Sequence, residues 1–134
     1  MKVFFDSCIL IDVFTNRDKS CECSIKCFEL VAKGKIKGYL SSRQLTDIYY
    51  ILKKHKLNDE KSRNSISILM KLLRVCDISA DDCSRALDSS ISDFEDAILS
   101  ETARRNHMDY IVTRNTKDFA HSVVKAIEPR EFLD

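Results

Sequence analysis

No apolar run in this sequence approaches the ~20 residues that a membrane-spanning helix needs. A helical membrane protein is therefore not expected. The start of the chain, KVFFDSCILIDVF from Lys2 to Phe14, has one lysine and no small-residue cleavage site. It reads as a first strand and not as a secretion signal. Charge of one sign is missing too. The 22 basic and 21 acidic side chains leave a formal net charge of +1, whereas a non-specific polyanion binder carries a marked basic excess. Any contact with nucleic acid must then be a local patch. Two glycines and one proline in 134 residues mark no linker, and no repeat or low-complexity tract is visible. The length suits a single domain over residues 1–134 with a core of its own. His55, His107 and His121 are scattered, so no catalytic histidine is indicated.

The six cysteines are Cys8, Cys21, Cys23, Cys27, Cys76 and Cys83. Without a secretion signal they are expected to be reduced thiols in the cytoplasm. Cys21, Cys23 and Cys27 lack a nearby histidine and the C-x2-C spacing of a structural zinc site. They read as small apolar residues on a helix.

What the chain does have is an alternation of short apolar runs and amphipathic stretches. Strands are expected at Lys2–Phe5, Ile36–Leu40, Val75–Ile78, Asp109–Thr113 and Val123–Ile127. Between them fall helices at Ser7–Phe14, Ser20–Lys33 (stopped by Gly34) and Ser42–Lys54, followed by a polar close at His55–Leu57. Asn16 to Asp18 form a polar loop. Asn58 caps the next helix, whose stripe is Ile66, Leu69, Met70 and Leu73. Ser79 caps a helix over Ala80–Asp88. Ser92, with Glu95 three residues on, has the form of a capping box for the helix that follows. Pro129 opens a short terminal helix through Leu133. Strand–helix alternation from end to end predicts an α/β fold of three layers, a small central parallel sheet with helices on both faces.

In such sheets the functional crevice lies at the carboxyl ends of the strands. Asp6 ends the first strand, Thr113 to Asp118 follow the fourth, and Asp96 lies in the first turn of the helix between. Each acid has a plain alternative. Asp6 could cap the following helix. Asp93, Glu95 and Asp96 could balance a helix dipole. Asp118 could form a turn. Together they say more. Two carboxylates about 4 Å apart repel by roughly 4 kcal/mol at an effective dielectric of 20. Three or four in one crevice need a counter-charge, and all-oxygen ligands suit Mg2+ or Mn2+. Such a site can activate water against a phosphodiester. The expected ligands are Asp6, Asp96 and Asp118. Thr113 and Asn115 are expected to hydrogen-bond a ligand carboxylate or a bound water. Arg43, Arg114 and Lys117 are candidates for phosphate contacts, with solvated surface charge as the plain alternative. An aspartyl phosphatase would want a second acid where Cys8 stands.

The segments FFDSCILIDVF, SSRQLTDIYYILKK, SDFEDAILSETA and DYIVTRNTKDF, in that order, resemble PIN-domain nucleases. Among these the chain is most similar to the VapC-like bacterial group, related to the toxin halves of type II toxin–antitoxin pairs. The likeness runs over essentially the whole chain, including the closing PREFL, and DFEDA followed by IVTRNTKDF is its most specific part. The resemblance implies a PIN fold with acids around Mg2+ or Mn2+. It implies endoribonuclease cleavage of single-stranded RNA to 5′-phosphate and 3′-hydroxyl ends. It also implies a homodimer that pairs with a small antitoxin near the acidic crevice. Carried over by motif, Asp6 is the first family acid, Asp96 the helix acid and Asp118 the late loop acid. Asp47 stands where many members have Glu, and Asp93 is the extra acid of the DFEDA group. Asn115 is a departure, since many relatives carry an acid there. That missing charge, with the short Asp47, favours the alternative of an inactive PIN-fold module that binds RNA or a protein partner.

Overall fold

The computed structural model describes residues 1–16, 18–55 and 57–134. Arg17, in the expected Asn16–Asp18 loop, and Lys56, in the expected close at His55–Leu57, lie outside the described residues. Among the described residues five strands form one parallel sheet and seven helices surround it. The strands are β1 (Lys2–Phe5), β2 (Lys37–Ser41), β3 (Arg74–Cys76), β4 (Tyr110–Val112) and β5 (Ala126–Ile127). The helices are α1 (Ser7–Thr15), α2 (Cys21–Ala32), α3 (Ser42–Lys54), α4 (Asp59–Leu72), α5 (Ala80–Leu87), α6 (Phe94–Arg105) and α7 (Pro129–Leu133). A single 3-10 turn, Thr116–Phe119, follows β4.

The sheet order is β3-β2-β1-β4-β5, with every pairing parallel. The chain builds outward from β1 to β3, then returns to the other side of β1 for β4 and β5. That reversal opens a crevice beyond the carboxyl ends of β1 and β4. Alternation along β1 divides the core. Val3 and Phe5 face the layer of α1, α2, α3 and α4, while Phe4 faces the layer of α5 and α6. Phe4 and Phe5 are fully buried, and each contributes about 2–3 kcal/mol by leaving water. Gly38 in β2 lies beneath α2 and α4. A Cβ there would meet Leu73 Cδ2 at 2.5 Å and Val31 Cγ2 at 2.8 Å. No helix among the described residues is long and apolar enough to cross a membrane.

Local chemistry sets the helix ends. Asn58 and Ser79 cap α4 and α5 as the sequence suggests, and Ser79 shares a reciprocal box with Asp82. The cap of α6 differs. Asp93 and not Ser92 is the N-cap, its carboxylate accepting from Asp96 N at 3.0 Å, and Glu95 is free to reach elsewhere. β5 is shorter than the expected Val123–Ile127, because Val123 is 76% exposed and only Ala126 and Ile127 pair with β4. Met70, placed in the α4 stripe by its spacing, is exposed, and Ser62, Ser65 and Leu69 make the buried face. The far end of α6 is tied to α5 by Arg105, whose Nε donates to buried Asp82 Oδ1 at 2.9 Å. This clamp fixes the direction in which the first turn of α6 points. Cys21 and Cys27 are buried on α2, and no two of the six cysteines are joined.

Candidate active site

Asp6 is held from two sides. Its Oδ1 accepts from Ser7 N at 2.8 Å and caps α1. Its Oδ2 accepts from Thr113 Oγ1 at 2.7 Å. The Thr113 side chain is fully buried, and its Oγ1 in turn accepts from Asn115 N at 3.0 Å. The end of β1 is thereby fastened to the loop after β4. Cys8 Sγ lies 3.7 Å from Asp6 Oδ2. Gln44, a residue the sequence did not single out, brackets the same strand end. Its Nε2 donates to Phe5 O at 2.8 Å and Ser7 Oγ at 3.2 Å, and its Oε1 accepts from Ser41 N at 2.7 Å. Only its place three residues after a helix-capping serine hinted at this.

α6 brings Asp96 to the crevice from the opposite layer. Asp6, Asp47, Glu95, Asp96, Asn115 and Asp118 line one cavity of about 480 Å3. Partial burial, and then the negative charges of Asp93, Asp6, Asp118 and Glu95, push the Asp96 carboxyl up to about 7. Asp118 reaches the cavity from the 3-10 turn. Asp93 contributes charge while its own carboxylate caps α6.

Asp47 and Glu95 meet across the cavity from α3 and α6. The Glu95 carboxyl is raised above its ordinary value, chiefly by a hydrogen bond with Asp47 and then by burial. Arg43 stands beside them, its Nε 3.7 Å from Asp47 Oδ2 and 3.6 Å from Glu95 Oε1. In sequence Glu95 reads as a capping-box or helix-dipole acid, and nothing there points to Arg43 or Asp47.

The three candidate phosphate contacts part company. Arg43 lines the cavity. Lys117 lines a neighbouring hollow of about 520 Å3 that shares Asp96 and Asp118 with it. Arg114 turns away. Its Nη1 lies 3.1 Å from Oδ2 of Asp12, a fully buried carboxylate on α1 that also accepts from Ser24 Oγ at 2.7 Å.

The donor set around Asp96 is all oxygen, and the repulsion that lifts its proton affinity is what a divalent cation would remove. The chemistry of the residues fits Mg2+ or Mn2+. Among the described residues, however, no three acidic, thiol or imidazole groups are grouped closely enough to hold a metal ion as they stand. Closure around a cation would require side-chain movement, which exposed Asp118 on its short turn permits.

A protein-family model described as PIN domain matches residues 2–117. Ribonuclease VapC1 of Aquifex aeolicus (strain VF5) is 22% identical over 138 aligned residues, which cover 99% of this chain and 94% of that protein. Among solved structures, VapBC2 from Rickettsia felis bound to a DNA fragment from its promoter aligns with a TM-score of 0.75. The identity is 18%, over 96% of this chain and 98% of the matched one. Mycobacterium tuberculosis VapC20, a sarcin-ricin loop cleaving toxin, aligns with a TM-score of 0.70 at 14% identity, over 88% of this chain and 93% of that one. At these identities the structural matches establish the fold.

Proposed function

This chain belongs to the PIN domain family, and from that premise we propose that it is a metal-dependent endoribonuclease cleaving single-stranded RNA. The observation that carries the reading is the convergence of Asp6, Asp96 and Asp118 on one cavity, with Asp96 lifted to about 7 by its burial and its acidic neighbours. Asp6 and Asp96 would hold Mg2+ or Mn2+, with Asp118 directly or through water. When bound, such an ion lowers the pKa of water and polarises a phosphodiester.

The chain's own residues set the stage for that chemistry. Ser7 N and Thr113 Oγ1 fix both oxygens of Asp6, so the carboxylate is oriented before any ligand arrives. Gln44 holds the Phe5 carbonyl before it and the Ser7 hydroxyl after it. Asp47 and Glu95 line the same cavity with Arg43 between them, its Nε within 3.7 Å of one carboxylate and 3.6 Å of the other. Hydrolysis by in-line attack of water leaves 5′-phosphate and 3′-hydroxyl ends. Relatives named as a VapC ribonuclease, as a toxin and as toxin–antitoxin complexes support a toxin role here with an antitoxin protein partner; the homodimer and the cytoplasmic location belong to the same proposal.

Asn115 favours a second reading, a PIN-fold module that binds RNA or protein without cleaving, because the position supplies no charge to a second cation. The test is incubation with a panel of structured and unstructured RNAs in Mn2+ and in EDTA. The nuclease reading expects cleavage of unpaired segments in Mn2+ alone. Equal cleavage in both would sink it, as would no cleavage together with no Mn2+ uptake by calorimetry.

A further inference from the structure

The inner face of α3 carries more than its acid. Arg43, Asp47, Tyr50 and Lys54 recur at i, i+4, i+7 and i+11, so they form one stripe on the helix. All four line the acidic cavity. The stripe runs about 16 Å from Arg43 to Lys54, at ~1.5 Å of rise per residue. A cation stands at each end, and an aromatic ring lies between them.

Tyr50 is not used by the fold. It is 59% exposed at the lip of the cavity. Its ring is nonetheless set in place by Tyr49, which meets it edge to face with centroids 5.1 Å apart. Tyr49 is itself fixed, its hydroxyl bonded to Asp59 and Lys53 Nζ lying 5.8 Å from its ring centroid. Ile51, Ile98 and Leu99 add apolar surface to the same, otherwise polar, cavity. An exposed ring on a stripe with a cation at each end, lining a cavity that also holds apolar side chains and a cluster of acids, suits a nucleotide. The ring suits an unpaired base, and the cations suit the phosphates beside it.

Resting on the ribonuclease reading, we infer that Tyr50 is a base-stacking subsite that seats one unpaired nucleobase beside the scissile phosphate, with Arg43 and Lys54 on the flanking phosphates. Stacking requires an exposed base face. A duplex hides its base faces, so this subsite selects single-stranded segments. It is tolerant of sequence, because every base has a stacking face. The same ring also borders a hollow between α3 and α4, with Leu45 and Met70. A protein partner seated there is the competing use of Tyr50, and the following test separates the two.

The experiment measures binding of an end-labelled single-stranded RNA oligonucleotide by fluorescence anisotropy in EDTA, where metal-dependent cleavage is off, and cleavage kinetics in Mn2+. The proteins are wild type, Tyr50→Phe and Tyr50→Ala, with thermal melts to confirm that all three fold. Loss of one stacked base weakens binding on the order of tenfold. Tyr50→Ala is expected to raise Kd and KM by about that factor with kcat little changed. Tyr50→Phe keeps the ring and stays within about twofold of wild type. On an oligonucleotide with abasic sites throughout, wild type and Tyr50→Ala should bind alike. Equal affinity of Tyr50→Ala and wild type for the base-bearing strand, while wild type still cleaves in Mn2+, overturns the stacking subsite alone and leaves Tyr50 to a protein contact. A wild type that neither binds nor cleaves overturns the nuclease reading, and this inference with it.

Discussion

Asp96→Asn isolates the electrostatic cost of the acidic cavity. In the folded protein the Asp96 carboxyl is pushed from 3.8 up to about 7. The folded state therefore binds this proton more tightly than the unfolded chain does. The resulting stability is fully present below about pH 4 and is lost as pH rises through about 7. Taken at face value the difference corresponds to about 4 kcal/mol. Asp96 is only half-buried, and solvent and salt screen its neighbours, so about 1–2 kcal/mol is the expected remainder. Asparagine nearly preserves the volume and never ionises. The backbone N–H that receives the Asp93 cap is unchanged by the substitution. Without metal, the variant should match wild type at pH 4 and exceed it by about 1–2 kcal/mol at pH 8, roughly 3–8 °C in melting temperature for a domain of this size. Added Mn2+ should then raise wild type more than the variant, since a ligand of the native state stabilises it by mass action. Melts of both proteins in EDTA at pH 4 and pH 8, and with Mn2+ at pH 8, read all of this. A variant less stable than wild type at pH 8 in EDTA, yet showing the full rise with Mn2+, would refute the reasoning and leave Asp96 as a helix-start acid.

Arg114→Ala strands the buried Asp12 carboxylate, whose Oδ1 has no hydrogen-bond partner among the described residues; a loss of roughly 3 kcal/mol in urea unfolding is expected. Asp93→Ala removes the α6 cap and should cost about 1 kcal/mol, while Ser92→Ala should cost little, a contrast that chemical denaturation checks. Gly38→Ala forces a methyl against Leu73 and Val31 and should destabilise by about 1–3 kcal/mol in the same assay.

The sheet was legible because β1, β2 and β4 are short apolar runs separated by helices with visible caps. That Asp6, Asp96 and Asp118 face one crevice followed from their places at strand ends and in a first helical turn. What was hidden depends on how layers cross. Glu95 reaches Arg43 beside Asp47 only because α6 approaches α3 across the crevice, and no local pattern encodes that approach. Arg114 looked like a free cation beside the acidic loop, but the nearest buried charge, Asp12, lies 102 positions earlier on α1. Ser92 and Asp93 are both good caps with an acid three residues on, so composition could not choose between them. Val123 and Val124 read as strand by β-propensity, yet in the parallel register they fall opposite Met108 and Asp109, before β4 begins at Tyr110.

If these acids bind a divalent ion that drives RNA cleavage, the cleavage rate of a labelled single-stranded RNA, followed as Mn2+ is titrated into wild type and Asp96→Asn, reads it most directly. Wild type should rise from no cleavage in EDTA to a saturating rate, with the variant lower by about a hundredfold or more at every Mn2+ concentration. Cleavage that persists in EDTA, or a variant that follows the wild-type curve, would contradict it.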